Sequence, residues 1–543
     1  MNPQAIDRFV ITRHFKKRSS TEINTINTMN TPIYDFVTDY MNSGISRLHM
    51  PGHKGRGPLG VEARDITEIR GADVLCEAEG IIGESEANAT ALFGSGHSFY
   101  STEGSSLAIR AMLFLALQYA RTMPAASVGP LSSSADPPFA SGSAARTAPD
   151  SRPVVLAARN AHKAFLYACA LLDCDIEWIW PEDTDLNSVC ACHPTPDQIT
   201  SRLRAMDRRP FAVYLTSPDY LGTLADVRGI TEAVRDAKIP VLVDNAHGAY
   251  LHFLPESLHP LDLGAFMTCD SAHKTLPVLT GGAYLQVSNT AMDLLGPEIR
   301  PALSLFASTS PSYLILQSLD LCNAYLADGY RERLAGTIAR ADALKASLRA
   351  AGVPVLDSEP LKLVIDASGA GSTCREAGST CGEAGGALLA EVLRASGVEP
   401  EFADANYLVL MLTPENPVSD YEKVRTALAA FAESGGFCRA SAASVLRDSC
   451  PGDAAAGNGG AFAASAPPLR LRPLPRACSV REAVFSPHET LPAAACIGRV
   501  CGQPTVSCPP AIPIAVSGEM ITEDLIPVLL ACGVTELSVI KRC

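Results

Sequence analysis

Residues 271–282 read SAHKTLPVLTGG and set Lys274 between His273 and the run Leu276, Pro277, Val278 and Leu279. An amine held in apolar surroundings gives up its proton more readily. Once neutral it can attack a carbonyl carbon, so the stretch suits a Schiff-base lysine. The bland alternative is a strand-end lysine with its ammonium in water, because fully buried lysines are rare. Other reactive types recur at the ends of apolar runs. VLVD closes on Asp244, with Asn245, Ala246 and His247 after it, and FAVYLT closes on Thr216. VVLAARNA leads into His162, and Gly104, Ser105 and Ser106 open an apolar helical stretch. Such an opening offers backbone N–H groups, two hydroxyls and a positive dipole end to a phosphate, although serine there is also an ordinary helix cap. An amine for an aldehyde, a carboxylate for a ring nitrogen, donors for a phosphate and an imidazole to stack on a ring are what pyridoxal phosphate needs.

These side chains need elements to converge them. Helices are expected over 105–121, 162–172 and about 227–237, and strands over 154–158, 211–216, 241–244, 265–270 and 282–287. Apolar strands alternating with helices predict an α/β fold whose mostly parallel sheet is covered on both faces. Ligands on such sheets collect at the C-terminal strand ends, where the reactive residues lie.

In order, the words TPIYDFV (31–37), HMPGHKG (49–55), DITEIRGADVL (65–75), ARNAHKA (158–164), TSPDYLG (216–222), VDNAHGAY (243–250), SAHK (271–274), SPHET (486–490) and SGEMITEDLIP (517–527) resemble the bacterial ornithine/lysine/arginine decarboxylase family. The resemblance runs from about residue 31 to the end and looks like the shorter branch lacking a wing domain. It implies the aspartate-aminotransferase-like fold (fold type I), pyridoxal 5'-phosphate as cofactor and decarboxylation of arginine, lysine or ornithine. Catalytic roles would fall to Lys274, Asp244 and His162. Lys274 would carry the cofactor, Asp244 would pair with its ring nitrogen, and Ala246 and His162 would take its two faces. Gly104, Ser105, Ser106, Ser271 and His273 would hold the phosphate, while Thr216 and His247 would line the ring pocket. Ser308, Thr309 and Ser310 would reach the partner subunit's cofactor in a homodimer or higher oligomer. A carboxylate must also meet the substrate's distal cation, and the family words offer Glu489 and Glu519. Two departures stand out. Glu103 occupies a position where the family often has Asn, and the usual Tyr-Pro-Pro-Gly-Ile-Pro reads Cys508-Pro509-Pro510-Ala511-Ile512-Pro513. Another fold-type-I reaction, aminotransfer or aldol cleavage, and a catalytically inactive binding relative are the competing readings.

The 543 residues allow two or three domains. The expected division is an extension over 1–30, a large cofactor domain over 31–300, a small α+β domain over 301–437, a linker over 438–477 and a C-terminal domain over 478–543. Low-complexity insertions are expected at 122–152 and 368–386, the second holding a GSTCREA/GSTCGEA repeat. A net charge of -14 disfavours nucleic acid as a partner. No apolar run of about 18 residues predicts a membrane span, and the N-terminus has no secretory h-region. Seventeen scattered cysteines suit reduced thiols and a cytoplasmic protein. Cys190-Ala191-Cys192-His193 lacks the spacing and second pair of a zinc site, so no metal is expected.

Overall fold

A computed structural model describes residues 29–123, 152–181, 185–186, 188–371, 385–437, 469–506 and 511–542. Most of the extension, most of both insertions, most of the linker and Cys508–Pro510 lie outside the described residues.

The helices that build the large domain are α1 (Pro32–Asn42), α2 (Ile81–Phe93), α3 (Gly104–Thr122), α4 (Lys163–Leu172), α5 (Pro196–Ala205), α6 (Val227–Val234), α7 (Ala272–Thr275) and α8 (Asn289–Phe306). Its strands are β1 (His97–Ser101), β2 (Val154–Ala158), β3 (Asp175–Ile179), β4 (Asp185–Leu186), β5 (Val213–Thr216), β6 (Val241–Asp244), β7 (Met267–Asp270) and β8 (Ala283–Val287). Seven of them form one sheet in the order β1-β8-β7-β6-β5-β2-β3. Neighbours from β7 to β3 run parallel, whereas β8 is antiparallel to both β7 and β1. The sheet is therefore mostly parallel, as its apolar runs predict. Two of its strands, β1 and β3, are not foreseen above. HSFYS and DIEWI mix polar with apolar residues, and neither forms an apolar run. The helix expected to reach about 237 ends at Val234 and gives way to turns.

The central strands are buried on both faces: β2 (VVLAA) is apolar throughout, whereas β6 (VLVD) and β7 (MTCD) each close on a buried aspartate. On one side α3 lays Leu107, Met112 and Leu115 into a core shared with Phe165, Tyr214 and Leu285. On the other, Ile199, Ile230 and Val234 of α5 and α6 pack against Val213, Val241 and Val243. Register then decides what stands side by side at the strand ends: Thr216 pairs with Asp244, and Asp244 with Cys269.

Two helices, α9 (Tyr313–Ala327) and α10 (Tyr330–Ala350), lead to the small domain. There β9 (Lys362–Asp366), β10 (Phe402–Ala403) and β11 (Tyr407–Met411) form an antiparallel sheet in the order β10-β11-β9. It packs on α10, α11 (Gly385–Ala395) and α12 (Val418–Glu433) through Leu344, Leu389, Leu393 and Leu428. The far end of the expected linker is structured. Leu469–Arg470 (β12) pairs with β4, and Leu471 is buried in a core with Ile514 and Ile521. Beyond it lie β13 (His488–Pro492), β14 (Thr505–Val506), β15 (Pro513–Ala515) and β16 (Glu536–Ile540), paired β13 with β16 and β14 with β15. No described helix is long and apolar enough to cross a membrane.

Candidate active site

A cavity of about 220 Å³ opens at the C-terminal ends of β2, β5 and β6. Ser105, His162, Thr216, Asp244, Ala246, His247 and Lys274 line it, so the structure brings together seven of the residues singled out from the sequence. Their positions follow from the fold. Asp244 and Thr216 end adjacent, registered strands, and Lys274 lies on the short α7 that follows β7.

The Asp244 carboxylate accepts from the Ala246 N–H at 3.2 Å and from the Tyr214 hydroxyl at 3.2 Å. Lys274 Nζ lies 3.1 Å from His247 Nε2. Burial lowers the lysine's pKa, against a smaller opposing pull from Asp244 and then Glu401. His247 is buried, and burial holds its pKa well below the ordinary histidine value, with the Lys274 charge adding to the effect. A neutral His247 therefore faces an amine that yields its proton readily. His162 is the N-cap of α4: its Nδ1 accepts the Ala164 N–H at 3.1 Å. That bond makes Nδ1 the acceptor and leaves the proton of the neutral ring on Nε2. Burial also lowers the His162 pKa, offset in part by Asp244.

At the start of α3, Glu103 occupies the N-cap position without making a side-chain cap bond, so Ser105 and Ser106 are not the cap. Glu103 instead accepts the Ser308 N–H at 2.6 Å, which turns its carboxylate toward that backbone. The Gly104 N–H donates to the Gly281 carbonyl at 2.7 Å. It is therefore committed within the chain. Ser271 is buried at the start of α7. His273 donates from Nδ1 to the Gly282 carbonyl at 3.0 Å, and burial lowers its pKa.

Other expected residues stand elsewhere. Ser308, Thr309 and Ser310 are exposed and do not line this chain's cavity. Glu489 is ion-paired with Arg499 at 2.5 Å. Glu519 is buried and accepts the Val516 N–H at 2.7 Å, and burial raises its pKa. Neither lines the cavity, because each is committed within the C-terminal segment.

The cavity includes residues that sequence reasoning missed. Asn160, Tyr220, Glu401, Ala511 and Ile512 complete its wall. Arg159, in the word ARNAHKA, donates to the carbonyls of Pro513 at 2.7 Å and Ile514 at 3.1 Å. It thereby fastens the C-terminal segment against the site, and the Ala511 carbonyl accepts the Lys163 N–H at 3.0 Å. Cys190 and Cys192 are buried, and His193 faces Asp219 at 2.9 Å. Among the described residues no group of histidine, cysteine and carboxylate side chains is arranged to hold a metal.

Comparison with known proteins adds an independent line. Residues 144–358 match the family described as Orn/Lys/Arg decarboxylase, major domain. An arginine decarboxylase of Bacillus subtilis is 26% identical over 520 residues, covering 91% of this chain and 92% of that protein. The uncharacterized protein YaaO of Bacillus subtilis is 29% identical over 408 residues, covering 71% of this chain and 74% of that one. Over residues 144–358 the chain is similar to the Orn/Lys/Arg decarboxylase family. Its fold agrees. The Francisella novicida lysine decarboxylase LdcF superposes with a TM-score of 0.68 at 15% identity, covering 95% of this chain and 82% of that one. The E. coli constitutive lysine decarboxylase gives 0.65 at 17% identity, covering 94% and 82%. The architecture is fold type I.

Proposed function

We propose that the protein decarboxylates a basic amino acid, arginine, lysine or ornithine, with pyridoxal phosphate bound in this cavity. The carrying observation is the meeting of Lys274, with its depressed pKa, and the strand-end Asp244 in one cavity. The residues present fit the cofactor. Three buried polar atoms of the wall, Asn160 Oδ1, Thr216 Oγ1 and His247 Nδ1, have no partner among the described residues. The first turn of α3 lacks a side-chain cap, and a Cβ built at Gly104 would meet open space. Lys274 would hold the aldehyde carbon, Asp244 the ring nitrogen, His162 and Ala246 the two ring faces, and Ser105, Ser106, Ser271 and His273 the phosphate.

When bound, the cofactor supplies an electron sink for the pair left at Cα as carbon dioxide departs. The chain does the rest. Asp244, fixed by Ala246 and Tyr214, favours a proton on whatever nitrogen faces it. Lys274 Nζ, beside neutral His247, can release a proton and return one to Cα. Pro218, Ala511 and Ile512 contribute apolar wall that limits water at the reacting carbon. Among the described residues lining the cavity none is an arginine. An aminotransferase needs a firm clamp on the substrate carboxylate, so this wall favours carboxylate loss.

The family resemblance further supports a cytoplasmic homodimer, completed across the interface near Ser308–Ser310, and a place in polyamine synthesis. The test is carbon dioxide release from arginine, lysine and ornithine, each with added pyridoxal phosphate. One substrate should give gas, and Lys274→Ala should abolish both the gas and the visible absorbance band of the bound cofactor. A band with keto acid and no gas would move the reaction to aminotransfer.

A further inference from the structure

A substrate ending in an ammonium or guanidinium needs an acceptor of opposite charge in the cavity wall. Two carboxylates stand in the described wall, Asp244 and Glu401. Asp244 is buried at the sheet end and already receives the Ala246 N–H, the Tyr214 hydroxyl and the Cys269 thiol. Glu401 comes from the other domain. It directly precedes β10, the edge strand of the small sheet, and its N–H is fixed on the Val409 carbonyl at 3.0 Å. Its carboxylate accepts the Tyr220 hydroxyl at 2.5 Å, and no ion pair with it forms among the described residues. Glu489, by contrast, is already neutralised by Arg499.

Tyr220 explains why Glu401 points where it does. Its ring meets the His247 ring edge-on at 5.0 Å and the Phe402 ring edge-on at 5.3 Å. It is thus wedged between the residue that touches Lys274 and the strand that directly follows Glu401, and its hydroxyl holds Oε1. The field of Glu401 reaches Lys274 Nζ as well. A substrate tethered through its α-amine near Lys274 has this carboxylate within the same cavity.

We infer that Glu401 is the acceptor for the distal cation of the substrate, and that Tyr220 is its positioning residue. This rests on the basic amino acid reading above. It replaces Glu489 and Glu519 in that role.

The test compares wild-type holoenzyme with Glu401→Gln and Tyr220→Phe. Glu401→Gln keeps the volume and an acceptor for Tyr220 and removes only the charge. Calorimetry would measure binding of agmatine, cadaverine and putrescine, with hexylamine as a probe lacking a distal charge. The expected result is a loss of about ten-fold or more in affinity for the charged probe that wild type prefers, with hexylamine binding unchanged. KM for the decarboxylated amino acid should rise in parallel while kcat at saturation changes far less. Tyr220→Phe should show the same pattern with a smaller loss. Equal weakening of hexylamine and the charged amine would assign Glu401 a structural role and overturn the inference, as would unchanged affinity for both. Failure of the decarboxylase reading is separately visible, as wild type releasing no carbon dioxide from any of the three amino acids. Absence of amine binding by wild type would also overturn the assignment to Glu401.

Discussion

His247 shows how a single buried ring couples chemistry to stability. Burial lowers its pKa from 6.5, followed by the charges of Lys274 and Lys362. Below 6.5 the unfolded chain binds a proton that the folded chain resists. Stability is therefore full above that value and falls as pH drops toward the folded pKa, with a limiting slope of about 1.4 kcal/mol per pH unit for one such group. His162 and His273 are shifted in the same direction. Urea denaturation across about pH 5 to 8 should show this decline, and His247→Asn should flatten part of it. A second prediction concerns Ala511, where the family words carry glycine. Ala511 has φ +58, in the left-handed region. An L-residue there costs about 1–2 kcal/mol, against about 0.5–1 kcal/mol for glycine's extra freedom in the unfolded chain. Ala511→Gly should stabilise the protein by about 0.5–1 kcal/mol in the same measurement. Lysine, aspartate and histidine were legible because their types imply a reaction at a strand end. Glu401 was not, since a glutamate beside a short edge strand reads as surface charge until the fold places it beside Tyr220.

At the scale of elements, the family words outside the cavity prove to be capping devices. Asp73, in DITEIRGADVL, accepts the Gly80 N–H at 2.8 Å and the Ile82 N–H at 3.0 Å through Oδ2, and the Val74 N–H at 2.8 Å through Oδ1. Helix α2 has no side-chain cap of its own at Gly80, so this distant carboxylate supplies it. Asp320, on α9, does the same for α1 by accepting the Ile33 and Tyr34 N–H groups at 2.9 Å each. Burial pushes its pKa up to about 6 despite those bonds. Asp73→Ala would leave the buried Ile82 N–H unpaired and remove the part-buried bonds to Val74 and Gly80, and should cost about 1–3 kcal/mol, read as a lowered urea midpoint with an unchanged slope. Such caps are hard to read in sequence because neither carboxylate occupies the N-cap position itself: Asp73 lies seven residues before Gly80, and Asp320 lies 287 residues beyond Ile33. The parallel strands were legible for the opposite reason. A strand buried on both faces is mostly apolar, whereas β1 and β3 mix polar with apolar residues and give no such run.

For the molecule as a whole, the remaining question is what covers the HMPGHKG region. Leu48 is 93% exposed, Leu59 80% and Met50 70%. The loop that carries them is nevertheless held in place. Arg47 donates to the Ala63 carbonyl at 2.7 Å, Lys54 to the His49 carbonyl at 2.5 Å, and His53 meets Asp65 at 3.2 Å. An ordered loop that turns three large apolar side chains outward leaves apolar surface in water, which a partner would cover. Under the homodimer proposed above, a second copy of the chain would cover this surface, and the exposed Ser308–Ser310 would face a neighbour's cavity. Light scattering should give twice the chain mass for the wild-type protein. Leu48→Glu combined with Leu59→Glu places charges on the loop without touching the cavity wall, and should yield a folded monomer. If the interface completes the site, the monomer should keep its circular dichroism and lose decarboxylation. Full activity in the monomer would instead show that the cavity described in one chain is sufficient by itself.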